Sequence, residues 1–290
     1  GRGRGGGEGV AAAGGEGHEG PGRGRRGRAG GGARKWVATV GVLEQGPFSE
    51  LFVMPAAGDS GGALGAALYL NNCLLEGPRS PALEHAYLGP DFSDRELAQA
   101  LPSRGLEHQR LEDDELVQET ARRLADGEVV GWFQGRMELG PRALGNRSIL
   151  GDPRHAATAE AINRKVKQRE PFRPFALVAL QERAAEYLHL DRPSPFKLLA
   201  PRVRKEHRQG LAAVTHVDGA AAVQTVSREA NPRLHALIEA FAERTGVPLL
   251  LNTSLNRPGE PMACSPLDAI NCFLETELDV LVLGNYLLQR

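Results

Sequence analysis

The chain has 290 residues, 35 Lys and Arg against 36 Asp and Glu, a formal charge of −1 and 41% apolar side chains, which allows one large domain or two modest ones with a proper core. Three cysteines (Cys73, Cys264, Cys272) without paired spacing exclude a disulfide framework and a zinc site, and they fit a reduced, cytoplasmic compartment. No apolar run reaches the ~18 residues of a membrane-spanning helix and no signal-peptide pattern opens the chain, so no membrane partner is expected.

Residues 1–36 are mostly Gly and Arg and are predicted to be a disordered low-complexity tail, because they carry too little apolar surface to fold. An RGG-like tail would interleave aromatic residues, which are absent here, so no nucleic-acid partner is expected. From Leu43 the chain reads as a turn, a short strand at Leu51–Met54, a glycine-rich loop and a small-residue helix over Ala63–Leu70. Asp59-Ser60-Gly61-Gly62 invites comparison with the nucleophile loop of trypsin-like proteases, but too little chain precedes it to build the barrel that presents a His and an Asp. A close-approach loop from Gly58 to Gly65 before a helix N-terminus, apt for phosphate, is the better reading.

Pro78–Pro90 is a Pro-containing connection and the expected domain boundary. Ser93 and Glu96 form a capping-box pattern, and Asp113–Ala125 makes an amphipathic helix with Leu116, Val117 and Leu124 inward. Val129–Phe133 is a buried strand, and the polar run from Gly131 to Ala176 follows it. Its Gly-Pro-Arg-Ala-Leu-Gly segment gathers backbone N–H groups and a guanidinium, a geometry suited to a phosphate or a carboxylate. Helical spacing over Ala156–Lys167 places Arg164 and Lys167 about one turn apart. Arginines interleaved with turn residues and closed by Pro171-Phe172-Arg173-Pro174-Phe175 mark an anion-binding site rather than a solvated basic helix.

Beyond it, Phe175–Leu180 is a buried strand, Glu182–Leu188 a short helix and Ser194–Gly210 a charged loop. Ala213–Gly219 leads a hairpin into Ala222–Val226; His216 beside its turn is either structural or a catalytic base. Asn231–Thr245 is a helix with an apolar stripe, stopped by Gly246. Val247–Leu251 delivers Asn252-Thr253-Ser254 to a turn that suits a nucleotide or an Asx turn. A helix starts at Pro266 and a last strand covers Leu278–Leu283. The alternation gives an α/β fold, with α+β as the alternative, around one twisted sheet.

GRMELGPRALGNRSIL, INRKVKQREPFRPFA and LLLNTSLNRPGEP together resemble the C-terminal domain of the O-carbamoyltransferases of nodulation-factor and antibiotic biosynthesis, over roughly residues 43 to 290. The resemblance implies a YrdC-like domain at 86–290, preceded at 37–85 by the end of an actin-like ATPase domain. It implies that ATP, with Mg2+, and carbamoyl phosphate give carbamoyl adenylate, whose carbamoyl group passes to a hydroxyl of a small-molecule or sugar acceptor. Arg142, Lys167 and Arg173 match positions that grip carbamoyl phosphate and the nucleotide; Ser254 matches a further one, and Arg147 and Asn252 join the expected nucleotide contacts. Asp59 matches a ligand for iron or another divalent metal, whose histidine partners would lie upstream. A homodimer is among the expectations. Two positions depart from the pattern HVDGTARVQTV: Ala220 stands for a threonine and Ala222 for an arginine implied to bind the substrate phosphate. Loss of such a contact, about 1.5–3 kcal/mol, predicts weak or incomplete activity. Two other readings follow the same residues: a relative of the tRNA-modifying threonylcarbamoyl-adenylate synthases, and a non-catalytic ATP-binding or interaction protein.

Overall fold

The computed structural model describes residues 51–56, 58–79, 81–101 and 107–290, with residues 11, 12 and 47. The tail expected at 1–36 therefore lies outside the described residues apart from β1 (Ala11–Ala12), which pairs in parallel with β2 (Leu51–Phe52). Helix α1 (Asp59–Tyr69) begins earlier than its small-residue pattern indicates: Gly61, Gly62 and Gly65 are helical, and the glycine-rich loop expected there is absent. It continues through a π-turn, Leu70–Leu74.

An eight-stranded mixed sheet organises the rest, in the order β3-β10-β9-β4-β5-β8-β6-β7. Its strands are β3 (His108–Arg110), β4 (Val130–Phe133), β5 (Arg147–Gly151), β6 (Ala176–Leu180), β7 (Val223–Val226), β8 (Leu249–Ser254), β9 (Val280–Leu283) and β10 (Tyr286–Gln289). The pairs β4–β9 and β6–β7 are parallel and the others antiparallel. The hairpin expected before β7 does not form; Ala213–Gly219 is a set of turns, and β7 takes its partner from β6 instead.

Central strands are buried on both faces, which is why they read as continuous apolar runs. On one face α3 (Asp113–Ala125) and α6 (Pro232–Thr245) cover Trp132, Leu150 and Val178 with Leu116, Leu124, Leu234 and Phe241. The other face packs Ile149, Leu177 and Leu251 against Ile162, Val166, Ile270 and Phe273. These come from α4 (Ala156–Ala161) with its π-turn Ile162–Val166, and from α7 (Pro266–Glu275). Two shorter helices, α2 (Asp94–Ala100) and α5 (Ala184–Tyr187), add Leu97, Ala184 and Tyr187 to this second cluster. Full burial contributes about 1.5–3 kcal/mol per large apolar side chain.

Local chemistry sets the ends. Ser93 and Glu96 close a capping box on α2, and Ser265 with Asp268 does the same for α7, where Pro266 takes the first turn. Asn231 caps α6 and accepts from Leu234 N–H, and Gly246 stops it with φ 77°.

Candidate functional site

The polar run after β4 folds around an anion of its own. Glu138 is 3% exposed, and its Oε1 accepts from the backbone N–H groups of Leu144 (2.7 Å), Asn146 (2.8 Å) and Arg147 (3.2 Å). Convergent N–H groups of this kind make an anion nest, but the chain's own carboxylate fills it. Gly145, at φ 104°, supplies a left-handed turn in a place where a Cβ would strike Leu234. The loop is also held from behind, since the Tyr87 hydroxyl (2.7 Å) and Gln224 Nε2 (2.6 Å) both donate to the Leu144 carbonyl.

Arg147, expected from the sequence to contact the nucleotide, turns inward. It is fully buried at the start of β5, and one terminal nitrogen donates to the carbonyls of Gln134 (2.6 Å), Gly135 (3.0 Å) and Asn146 (3.0 Å). Its guanidinium lies 3.6 Å from the centre of the Phe133 ring. Burial lowers its pKa to about 10, against the opposing charge of Glu138. It locks the loop and does not line the cleft described next.

That cleft, about 940 Å³, opens beside the end of β8. Arg164, Lys167, Arg169, Arg173 and Arg257 face it, against the carboxylates Glu160 and Glu170. Lys167 is 8% exposed, and its Nζ donates to the Ser254 carbonyl (2.5 Å), Asn256 Oδ1 (2.6 Å) and the Asn256 carbonyl (3.1 Å). Neutral partners do not offset burial, which drives its pKa down to about 7, with Cys272 opposing and Arg169 adding to the effect. The Ser254 hydroxyl donates to Asn256 Oδ1 (2.6 Å). Pairing with β5 carries β8 on as a strand through Asn252–Ser254, where the sequence pattern indicates a turn.

Arg169 and Asn256 complete the cleft; both lie inside the quoted motifs, each two residues beyond a residue expected at the site, without having been assigned a role there. Arg169 Nε donates to Asn163 Oδ1 (2.6 Å) and its guanidinium lies 4.7 Å from the Phe175 ring centre. Burial lowers its pKa to about 10, with Arg173 adding. Asn163 Nδ2 donates to the carbonyls of Pro171 (3.1 Å) and Arg173 (3.0 Å), which fixes the proline turn that presents Arg173. Arg173 itself is half-exposed and 4.0 Å from Glu170.

The remaining expected residues gather elsewhere. Asn252 is 1% exposed, and its Nδ2 donates to Gln224 Oε1 (3.2 Å). Lys197, which no sequence signal marks, donates to the Ala143 carbonyl (2.7 Å), next to Arg142, and weakly to the Asn252 carbonyl (3.4 Å). The structure thus gathers Lys167, Arg173 and Ser254 at the cleft and Arg142 with Asn252 behind the loop. His216 belongs to neither: its Nε2 lies 3.4 Å from the Phe175 carbonyl and burial lowers its pKa.

The carbamoyltransferase C-terminus family matches residues 121–290, and the carbamoyltransferase N-terminus family matches residues 24–68. The chain belongs to the carbamoyltransferase family. It is 47% identical over 266 residues to nodulation protein NolNO of Sinorhizobium fredii, covering 90% of this chain and 39% of that protein. It is 44% identical over 218 residues to the 3'-hydroxymethylcephem-O-carbamoyltransferase of Amycolatopsis lactamdurans, covering 74% of this chain and 39% of that protein. An uncharacterized Synechocystis protein is 42% identical over 288 residues, 90% of this chain and 47% of its own length. The chain therefore spans less than half the length of those relatives. Among solved structures, it is similar to Escherichia coli YciO (TM-score 0.43, 19% identity, 59% of this chain and 78% of that one). It is likewise similar to Pyrococcus abyssi Sua5 complexed with L-threonine (TM-score 0.43, 16% identity, 61% and 48%).

Asp59, the expected metal ligand, opens α1, and its side chain lies outside the described residues. The described group of ligand-type side chains is Glu182, His235 and Glu239, where Glu239 already pairs with Arg228 at 2.7 Å. No helix is long and apolar enough to cross a membrane among the described residues.

Proposed function

We propose that this chain activates carbamate with ATP: it binds carbamoyl phosphate and ATP and forms carbamoyl adenylate for transfer to a hydroxyl of a small-molecule or sugar acceptor. One observation carries the reading, the concentration of five cations around a cleft bounded by Ser254 and Asn256. Hydrolysis of carbamoyl phosphate gives carbamate and phosphate. A carbamate oxygen then forms a bond to the α-phosphorus as the bond to pyrophosphate breaks, and pyrophosphate leaves. Negative charge builds on oxygens that fixed guanidinium and ammonium groups stabilise. Arg173, half-exposed on its proline turn, reaches toward incoming phosphate; Arg169 is pre-positioned by Asn163 and Phe175. Lys167, its pKa lowered by burial to about 7, gains a proton as a phosphate anion binds beside it. ATP brings Mg2+ with it.

In this reading residues 86–290 activate carbamate, and 37–85 are the end of the domain that transfers the carbamoyl group. The reaction is assigned to the cytoplasm, and the acceptor binds to parts of the relatives that this chain does not span. ATP-dependent pyrophosphate release with carbamoyl phosphate, compared between the chain and Arg173→Ala, tests the proposal. Release that needs both substrates and collapses in the variant supports it. ATP binding without release leaves the second reading, a nucleotide-binding protein that does not turn over, which Ala222 favours.

A further inference from the structure

Away from the cleft, Glu182, His235 and Glu239 bring ligand-type atoms within 4.8 Å of one another. His235, on α6, is 3% exposed, and its Nε2 lies 2.8 Å from Glu182 Oε1, on the turn between β6 and α5. An ionised carboxylate only accepts, so Nε2 carries the hydrogen and donates. That bond fixes the ring and leaves Nδ1 facing Glu239 Oε2, one helical turn along, at 3.3 Å. Nδ1 is buried and has no hydrogen-bond partner among the described residues, because the Glu239 carboxylate lies off line for one. A buried ring nitrogen without a partner is costly. At a metal ion the same distance is ordinary: two donor atoms each ~2.1 Å from a four-coordinate cation stand about 3.4 Å apart. The local charge also favours a cation, since Glu229 lies within electrostatic reach of His235 as well. Arg228 meets Glu239 and donates from one nitrogen to both oxygens (2.8 and 2.7 Å), but this pair is exposed and contributes little. Arg183 is held by Glu186 at 2.9 Å.

We infer that His235 Nδ1 and Glu239 form a binding site for a divalent cation of the zinc class, with Glu182 as the outer carboxylate that orients a ligating histidine. An imidazole nitrogen beside a carboxylate suits such a cation better than Mg2+, which prefers oxygen ligands alone. Glu182 follows β6 and Arg173 precedes it, so the site sits at the opposite end of that strand from the cleft. A cation bound there ties α6 to the β6–α5 turn. This staple is independent of the proposed function and of the metal implied at Asp59. It uses no cysteine, so the spacing of Cys73, Cys264 and Cys272 does not bear on it. Arg228 competes with the cation for Glu239.

Calorimetric titration of Zn2+ into the full chain, freed of metal by a chelator, and into His235→Gln, Glu239→Gln and Arg228→Gln tests it. Glutamine at 235 keeps a donor for Glu182 and removes the ring nitrogen. The parent chain is expected to bind Zn2+, with one equivalent weakened about tenfold or more in His235→Gln and in Glu239→Gln. Arg228→Gln is expected to bind it at least as tightly as the parent, because a competitor has gone. Zn2+ is also expected to raise the melting temperature of the parent chain and not that of Glu239→Gln. No binding by the parent chain, equal affinity in Glu239→Gln, or weaker affinity in Arg228→Gln overturns the site. If His235→Gln does not fold, the parent chain labelled with 15N-histidine decides. A His235 Nδ1 resonance that moves with Zn2+ while Nε2 keeps its hydrogen supports the site, and one that stays still overturns it.

Discussion

Arg147 and Lys167 are both buried cations in the same polar stretch, and their surroundings are opposite in kind. Around Arg147 four carbonyls, an aromatic face and the nearby Glu138 carboxylate make a closed arrangement. Around Lys167 the partners are neutral, the nearest guanidinium is another cation's, and one side opens on the cleft. The first arrangement consumes its charge internally and holds a loop in shape. The second leaves positive potential facing solvent, where a phosphate gains most from it. An arginine-rich motif thus contains scaffold and site in nearly equal parts, and the partner of each cation tells them apart.

The contrast is most easily broken at the scaffold. Glu138→Ala strands three backbone N–H groups and the buried Arg147 charge, and denaturant unfolding is expected to register a loss of about 3–5 kcal/mol. If stability holds and ATP affinity falls instead, the division between scaffold and site is wrong. At the cleft the signs reverse. Arg173→Ala is expected to cost about 1.5–3 kcal/mol in ATP binding by calorimetry, with a melting temperature close to that of the parent chain because the side chain is half-exposed.

A pH series sharpens the same comparison. Lys167 and Lys197 have folded pKa values near 7, below the ordinary 10.5 of the unfolded chain. Between pH 7 and that value the unfolded chain binds more protons than the folded one. The stability of the empty protein should therefore rise with pH across this window, by up to about 1.4 kcal/mol per unit for each lysine. Binding of phosphate should weaken over the same range, as the ammonium groups lose their protons. Urea titrations at pH 7 and 9, with and without ATP, check both trends. Ser265→Ala is the smallest effect: loss of the cap on α7, about 1 kcal/mol by thermal unfolding, with no change in nucleotide affinity.

Much of the fold was legible because its signals are local. The capping boxes at Ser93 and Ser265, the stop at Gly246 and the apolar stripe of α6 depend on residues a few positions apart. What escaped depends on distant partners. Strand β3 is recognisable only by its pairing with β10, and Asn252–Ser254 extend β8 because Ser148, Ile149 and Leu150 lie opposite. Within the site, residue type predicted cationic character, yet it could not assign Arg147 to carbonyls of Gln134 and Gly135 or place Lys197 under Arg142's loop. Convergent N–H groups around Gly-Pro-Arg-Ala-Leu-Gly were visible in the sequence; that Asn146 and Arg147 would supply two of the three and Glu138 would fill the nest was not.

The strand order also sets a timetable. Strand β4 lies between β5, which follows it closely in the chain, and β9, and the Val129 N–H reaches its Asp279 partner across 150 positions. Strand β3 takes its neighbour from β10. A nascent chain that has not yet released residues 280–289 therefore carries β4 with one bare edge and β3 with nothing to pair with. Contacts of such long separation form slowly, and bare edges recruit other chains. The polar loop and its charges can be ready early, but the platform beneath them closes last, and between the two the bare edges of β3 and β4 are most open to other chains.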